Sequence, residues 1–287
     1  MRVGTMLEAA SAWLFLAAAL TLAPAPAAHA QSGKAPTVAP DRCLAMSQAP
    51  PRTRFGGSTP PSLVQLAQLK PGDVRISYVG HSTFLLETPR GVRIATDYND
   101  YARPSVIPEI VTMNRAHSTH YTNSPDPSIQ HVLRGWNPDG GAAQHDITVE
   151  DIRVRNVPTN IRSYSGGTDV WGNSIFVFEV ANLCIGHLGH LHHTLTTQQL
   201  AQIGQLDIVL VPVDGSFTLD VAGMVEVLKA LRAPLMIPMH YFSSYTLERF
   251  MHEARQVFEV ETSDVPTVVV SRASLPKTPK ILVLPGN

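Results

Sequence analysis

A layered α/β fold, with sheet held between helices, is what the sequence predicts, and three observations predict it. The first part of the ordered region reads as strands in antiparallel succession. The second part alternates helix with strand. Within that second part, Ile208-Val209-Leu210-Val211 is apolar at every position, as expected of a strand covered on both faces. The chain has 287 residues, 44% of them hydrophobic and 16% charged. That is enough apolar material for one sizeable core.

The chain opens with Arg2 and a continuously apolar stretch from Trp13 to Leu22. Pro24, Pro26 and then Ala28-His29-Ala30 follow. The stretch is too short to span a bilayer, and its small-x-small end reads as a signal peptide over 1–30, cleaved after Ala30. The expected product is periplasmic or secreted, with no stable membrane anchor. Residues 31–70, rich in proline and alanine, read as an extended arm with one short helix near Ser62–Leu69. The folded domain is expected over 71–287. Cys43 and Cys184 could pair in an oxidising compartment, or Cys184 could be a buried free thiol; spacing alone leaves both open.

The first strand covers Val74–Val79, where polar and apolar residues alternate. Thr83–Glu87 is the second, Pro89-Arg90-Gly91 turns the chain, and Val92–Thr96 returns. Further strands are expected at Ile152–Val157, Ser174–Val180, Leu183–Gly186, Ile208–Val213 and Leu235–Pro238. Between the later ones lie helices. Thr196 and Gln199 form a capping box, with Gly204 at the expected C-terminal stop. Asp220 caps a helix running through Arg232, with Val221, Met224, Val225, Val227, Leu228 and Leu231 on its apolar face. A third helix is expected over Thr246–Phe258.

The formal net charge of −1 offers no basic footprint for nucleic acid. The informative residues are the histidines. His117 and His120 lie together. His187, His190, His192 and His193 crowd one loop. His240 ends an apolar run, and His81 sits in a Gly-His turn. Neutral imidazole is a common ligand for zinc and related ions, and a catalytic site needs about three protein ligands. His117 and His120 follow the run Ile107–Val111, His187 and His190 follow Leu183–Gly186, and His240 follows Leu235–Pro238. Each group therefore lies just past a strand, the edge of an α/β sheet where ligand sites collect.

Tyr78-Val79-Gly80-His81-Ser82-Thr83-Phe84-Leu85-Leu86, followed by Asp97, resembles the opening of metallo-β-lactamase-fold hydrolases. The order of the later segments agrees with it. These are His187-Leu188-Gly189-His190, Leu195–Leu200, Asp207–Val213 and Ile237-Pro238-Met239-His240-Tyr241. The resemblance runs from about Val74 to His240. It points to the branch holding ascorbate-6-phosphate lactonase-like and N-acylphosphatidylethanolamine phospholipase D-like proteins. It implies a four-layered αβ/βα sandwich with a metal site at one edge of the two sheets.

Several metal positions depart from the family pattern. Its HxHxDH motif falls on Arg115-Ala116-His117-Ser118-Thr119-His120, so Arg115 replaces the first histidine and Thr119 the aspartate. The third-motif histidine falls near Asn160, and the bridging aspartate falls on His190. With those carboxylates gone, two close dications would be poorly compensated. The resemblance thus implies one zinc ion, with manganese or iron as alternatives. Its expected ligands are His117, His120, His190 and His240, or three of these plus water. Metal-bound hydroxide would attack an ester, lactone, amide or phosphodiester, with His187 or His193 as a neighbouring base. Arg115 would hold a carboxylate or phosphate of a small-molecule substrate. His187 could instead support the site from behind. His81 reads as a turn residue bonding backbone, Asp97 as a residue ordering a nearby loop and Asp214 as a turn residue. His131, His145 and His252 read as surface. A non-catalytic metal- or anion-binding member of the fold is the competing expectation.

Overall fold

The computed structural model describes residues 43–44, 69–163 and 165–286. The leader over 1–30, the short helix near Ser62–Leu69 and most of the arm lie outside the described residues.

The antiparallel start forms as read. Strands β1 (Asp73–Gly80), β2 (Thr83–Glu87) and β3 (Arg93–Ala95) pair in succession, Ile76 opposite Leu86 and Leu86 opposite Ile94. Strands β4 (Ile110–Met113) and β5 (His131–Arg134) then add in parallel. The next group is β6 (Asp146–Val149), β7 (Ile152–Arg162), β8 (Thr168–Val180) and β9 (Leu183–His187), all antiparallel neighbours. Helices α1 (Thr197–Ile203), α2 (Val221–Leu231) and α3 (Ser244–Ala254) separate or follow β10 (Ile208–Pro212) and β11 (Leu235–Met239). The chain ends with β12 (Glu259–Thr262), β13 (Thr267–Ser271) and β14 (Lys280–Val283). The resulting sheets are ordered β13-β1-β2-β3-β4-β5 and β12-β14-β11-β10-β9-β8-β7-β6.

The core explains the sandwich. Phe84, Leu86 and Ile94 of one sheet share a buried cluster with Phe176, Phe178, Ile208, Leu210 and Ile237 of the other. The alternate residues Val209, Val211 and Met236 bury instead against Ile203 of α1, Met224 and Leu228 of α2, and Phe250 of α3. β10 is therefore apolar on both faces because it has a sheet on one side and helices on the other. Outside the six-stranded sheet, Tyr98 and Ile129 from connecting segments pack on Val111 and Met113.

Both caps read from sequence are present. Thr196 and Gln199 close a capping box, and Gly204 ends α1 at φ 75°. Asp220 accepts from the Gly223 backbone at the start of α2. The third helix differs from its expected span: a Ser243–Thr246 capping box starts it earlier, and it stops at Ala254. The expected strands at 152–157 and 174–180 are the inner parts of a longer hairpin, with a register shift between Thr159 and Ile161. β5, β6, β12, β13 and β14 carry no expectation from sequence, because short stretches such as HVLR, DITV and EVET become strands through their partners.

The cysteine question resolves as a disulfide. Cys43 and Cys184 are bonded, with Cα atoms 5.9 Å apart. The Cys43 carbonyl also accepts from the Gln205 backbone at 2.9 Å. Gly204 is required at this joint: a Cβ there would lie 2.2 Å from the Cys43 carbonyl oxygen.

Candidate metal centre

The strand ends bring histidines from four separate segments to one place. His81 lies in the β1–β2 turn, His120 follows β4, His190 follows β9 and His240 follows β11. The His240 backbone N–H donates to the His81 carbonyl at 2.7 Å, which locks two of these ends together. Ring centroids of His81 and His240 are 4.2 Å apart, His120 and His240 5.0 Å, and His190 4.7 Å from His120 and 4.8 Å from His240. His81, Asp97 and His240 all adopt left-handed backbone conformations, with φ of 53°, 42° and 57°. Non-glycine residues held there cost roughly 1–3 kcal/mol each and collect at functional sites.

Each central ring is fixed from behind. His120 Nδ1 faces Asp97 Oδ2 at 2.6 Å, and His240 Nδ1 faces Asp214 Oδ1 at 3.0 Å. A carboxylate only accepts, so both Nδ1 atoms carry the proton and both Nε2 atoms present lone pairs. The aspartates are buried and anchored in turn. Asn114 donates to Asp97 at 2.9 Å, and Asp214 accepts from the backbone of Ser216, Phe217 and Thr218. Gly189 passes so close to Asn114 and Asn173 that a Cβ would lie within 2.4 Å of both.

Electrostatics keep the rings ready to bind. Burial, reinforced by the neighbouring rings, pushes His81 down to about 3 and holds His120 and His190 well below the usual imidazole range. Neutral imidazole is the form that coordinates metal. Burial raises Asp97 to about 6. Burial also opposes charge on Asp214, but hydrogen bonds from His240 and Thr218 outweigh it and hold that carboxyl well below the carboxylate range.

The residues fit a cation. His120 Nε2 and His240 Nε2 face each other at 3.1 Å, two acceptors with no proton between them. Nitrogens sharing one zinc ion at about 2.1 Å sit roughly 3.4 Å apart. His81 Nε2 is buried without a hydrogen-bond partner among the described residues. His81, His120 and His240 each offer a nitrogen, all within 4.8 Å of one another, so these three could hold the ion.

The expected site residues are partly redistributed. His120, His190 and His240 converge. His117 lies at the exposed mouth, its ring 4.8 Å from His190 and 6.2 Å from His120, outside the tight nitrogen group. His81, read as a turn residue, belongs to that group. His187 as a base is corrected: its Nε2 faces the Ser82 carbonyl at 2.9 Å and its Nδ1 accepts from the Gly189 backbone, leaving neither nitrogen for chemistry. His193 is likewise corrected, because its nitrogens meet the Thr194 carbonyl and the Asn160 backbone N–H. Arg115 is 56% exposed and lies 3.9 Å from Asp169, so its charge has a partner on the rim. The family's aspartate positions are Thr119 and His190, but two other carboxylates, Asp97 and Asp214, stand directly behind the rings. His131 lies in β5, half-buried, and His145 reaches the Arg134 carbonyl; His252 is exposed on α3, as read.

Phe217 and Phe242, both more than half exposed, form the walls of the mouth. Their rings are 5.4 Å apart, with Phe217 6.1 Å from His117 and Phe242 5.2 Å from His240. A cavity of about 280 Å³ opens beside them, lined by Tyr78, His81, Tyr241, Phe242, Ser243 and Ser244.

Comparison with known proteins agrees with this geometry. Residues 75–240 match the beta-lactamase superfamily domain. A UPF0173 metal-dependent hydrolase of Methanoculleus marisnigri is 24% identical over 66% of this chain and 91% of its own. Another, from Thermoplasma volcanium, is 27% identical over 59% of this chain and 84% of its own. A Thermotoga maritima structure of the metallo-beta-lactamase superfamily superposes with a TM-score of 0.55 and 26% identity, covering 75% of this chain and 100% of that one. The strand order, the site at the strand ends and the matched domain together show that the chain belongs to the beta-lactamase superfamily.

Proposed function

We propose that this protein is an exported metal-dependent hydrolase that holds one ion through His81, His120 and His240. The observation that carries it is the facing pair of Nε2 atoms, each ring backed by a buried aspartate. A carboxylate behind a ligating histidine fixes its tautomer and raises its basicity. The two carboxylates behind the His120 and His240 rings also offset the charge of a single dication. Nitrogen-rich coordination suits zinc, with manganese or iron as alternatives.

A divalent ion in this position supplies Lewis acidity and acidifies water. The chain's own residues do the rest. Asp97 and Asp214 hold the ligand rings in place. Phe217 and Phe242 narrow the mouth and shelter the bond under attack. His117, exposed at the mouth but pushed toward its neutral form by the partial burial of its ring beside the cluster, is placed to take up a proton. The substrate is a small molecule carrying an ester, lactone, amide or phosphodiester. The pairing of Arg115 with Asp169 gives the non-catalytic anion-binding reading no support of its own. Export is supported by the leader-like N-terminus together with the Cys43–Cys184 disulfide, which suits an oxidising compartment.

The test is a hydrolysis panel of those four bond types with zinc, manganese or iron added. Activity should follow the metal and disappear in His240→Ala together with bound ion. Metal-independent turnover, or wild-type protein that never takes up an ion, would remove this reading.

A further inference from the structure

His190 occupies the place where the family pattern has a bridging aspartate, and its surroundings differ from those of His120 and His240. Behind it stands an arginine, acting through another histidine. The Arg162 backbone N–H and Nε–H both point at His192 Nδ1, at 3.1 and 2.9 Å. Arginine is always protonated and has no acceptor. His192 Nδ1 must therefore accept, and the proton of this neutral ring sits on Nε2. That Nε2 is in hydrogen-bond contact with His190 Nδ1. His190 Nδ1 must then accept as well, and its own proton is forced onto Nε2. The opposite arrangement would leave His192 with no proton on either nitrogen.

Arg162 cannot easily turn away. Its Nη2 donates to the carbonyls of Ser216, Phe217 and Thr218 at 2.7, 2.8 and 2.7 Å, clamping the loop that carries Phe217. At the other end, His190 Nε2 is buried and meets no acceptor among the described residues, although its ring lies among His117, His120 and His240. Asn173 holds the His190 backbone at 2.8 Å. A buried donor without a protein acceptor calls for an outside partner.

We infer that His190 is the hydrogen-bond donor of this site rather than a metal ligand, its Nε2–H fixed by Arg162 and His192 and offered to an acceptor oxygen of the substrate. The inference rests on the metal-hydrolase reading above. It also narrows the substrate. Arg115 is paired with Asp169, Arg162 with backbone carbonyls, and Arg249 with the Asp214 carbonyl. A neutral donor in a histidine cluster whose mouth is walled by Phe217, against His117, and Phe242, against His240, suits an uncharged carbonyl compound with an apolar substituent. A carbonyl oxygen that gains negative charge during attack is stabilised by such a donor. His190 would touch the substrate; Arg162 and His192 are positioning residues.

The direct test is imidazole ¹⁵N–¹H correlation on the full-length histidine-labelled protein, with His190→Gln assigning the resonance. The proton should lie on His190 Nε2 and be absent from Nδ1. In cadmium-113-loaded protein, coupling should reach His81, His120 and His240 but not His190. Arg162→Gln should redistribute the His190 proton without removing metal. His190→Gln should keep the wild-type ion content and lose kcat by roughly 10²–10³-fold, the range for a single oxyanion donor. A matched aryl ester should be turned over at least tenfold faster than the corresponding phosphodiester. Cadmium coupling to His190, loss of the ion in His190→Gln, or preference for the phosphodiester would overturn the inference. Should His190→Gln fail to fold, the wild-type cadmium couplings still decide. If wild-type protein binds no metal, the hydrolase reading fails, while the metal-free spectrum still reports where the His190 proton lies.

Discussion

The two flanks of the histidine cluster use the same side chain with opposite polarity. On one flank, His120 and His240 are backed by Asp97 and Asp214, so their front nitrogens carry lone pairs. On the other, His190 is backed by Arg162 through His192, so its front nitrogen carries a proton. What stands behind an imidazole decides what its front can do. A list of histidines therefore cannot tell ligand from donor.

The largest effect expected is at the ligand flank. His120→Gln should abolish metal binding and hydrolysis, because the glutamine cannot replace a lone pair held by Asp97. Metal analysis and turnover check this together.

The next effect is on stability rather than chemistry. Cys43→Ser should lower stability by about 2–5 kcal/mol, as removal of a native disulfide does, while ion content stays at the wild-type level. Cys184 sits near the start of β9 and His187 at its end, so a thermal melt and a metal assay should separate. Metal loss in Cys43→Ser would show that the site depends on this joint.

Asp214→Asn sharpens the comparison. The amide can still accept from His240, but the charge is gone. Metal affinity should fall roughly 10–100-fold, the usual cost of losing such a partner, as read by competition with a chelator. The smallest effect is at the rim. Arg115→Ala should change stability by less than about 0.5 kcal/mol, since an exposed ion pair contributes little, and should leave kcat/KM for an uncharged ester nearly unaltered.

Much of the scaffold could be read from residue order. The antiparallel start, the capping box of α1, the Asp220 cap and the doubly covered β10 all follow from local patterns. So did the convergence of His120, His190 and His240, because each follows a strand. What stayed hidden depends on contacts across the chain. Asp97 lies 23 residues from His120, and Asp214 lies 26 from His240. The same rule applied to the histidines, a polar group just past a strand, would have flagged both aspartates. His81 looked like a turn residue because its partner is the end of β11, which only the closed sandwich brings near. Arg162 and His192 are 30 residues apart and meet only where the β7–β8 hairpin reaches the His190 loop. His187 showed the reverse error. Its position in a histidine-rich run suggested chemistry, yet both its nitrogens are used by backbone.

The most direct measurement is metal content per chain in tag-free protein, taken side by side for wild type, His120→Gln, His240→Ala and His190→Gln. The account predicts about one ion in wild type and in His190→Gln, and essentially none in the other two. Equal loss in all three variants would contradict it, and so would wild-type protein that carries no ion after zinc, manganese and iron have each been offered.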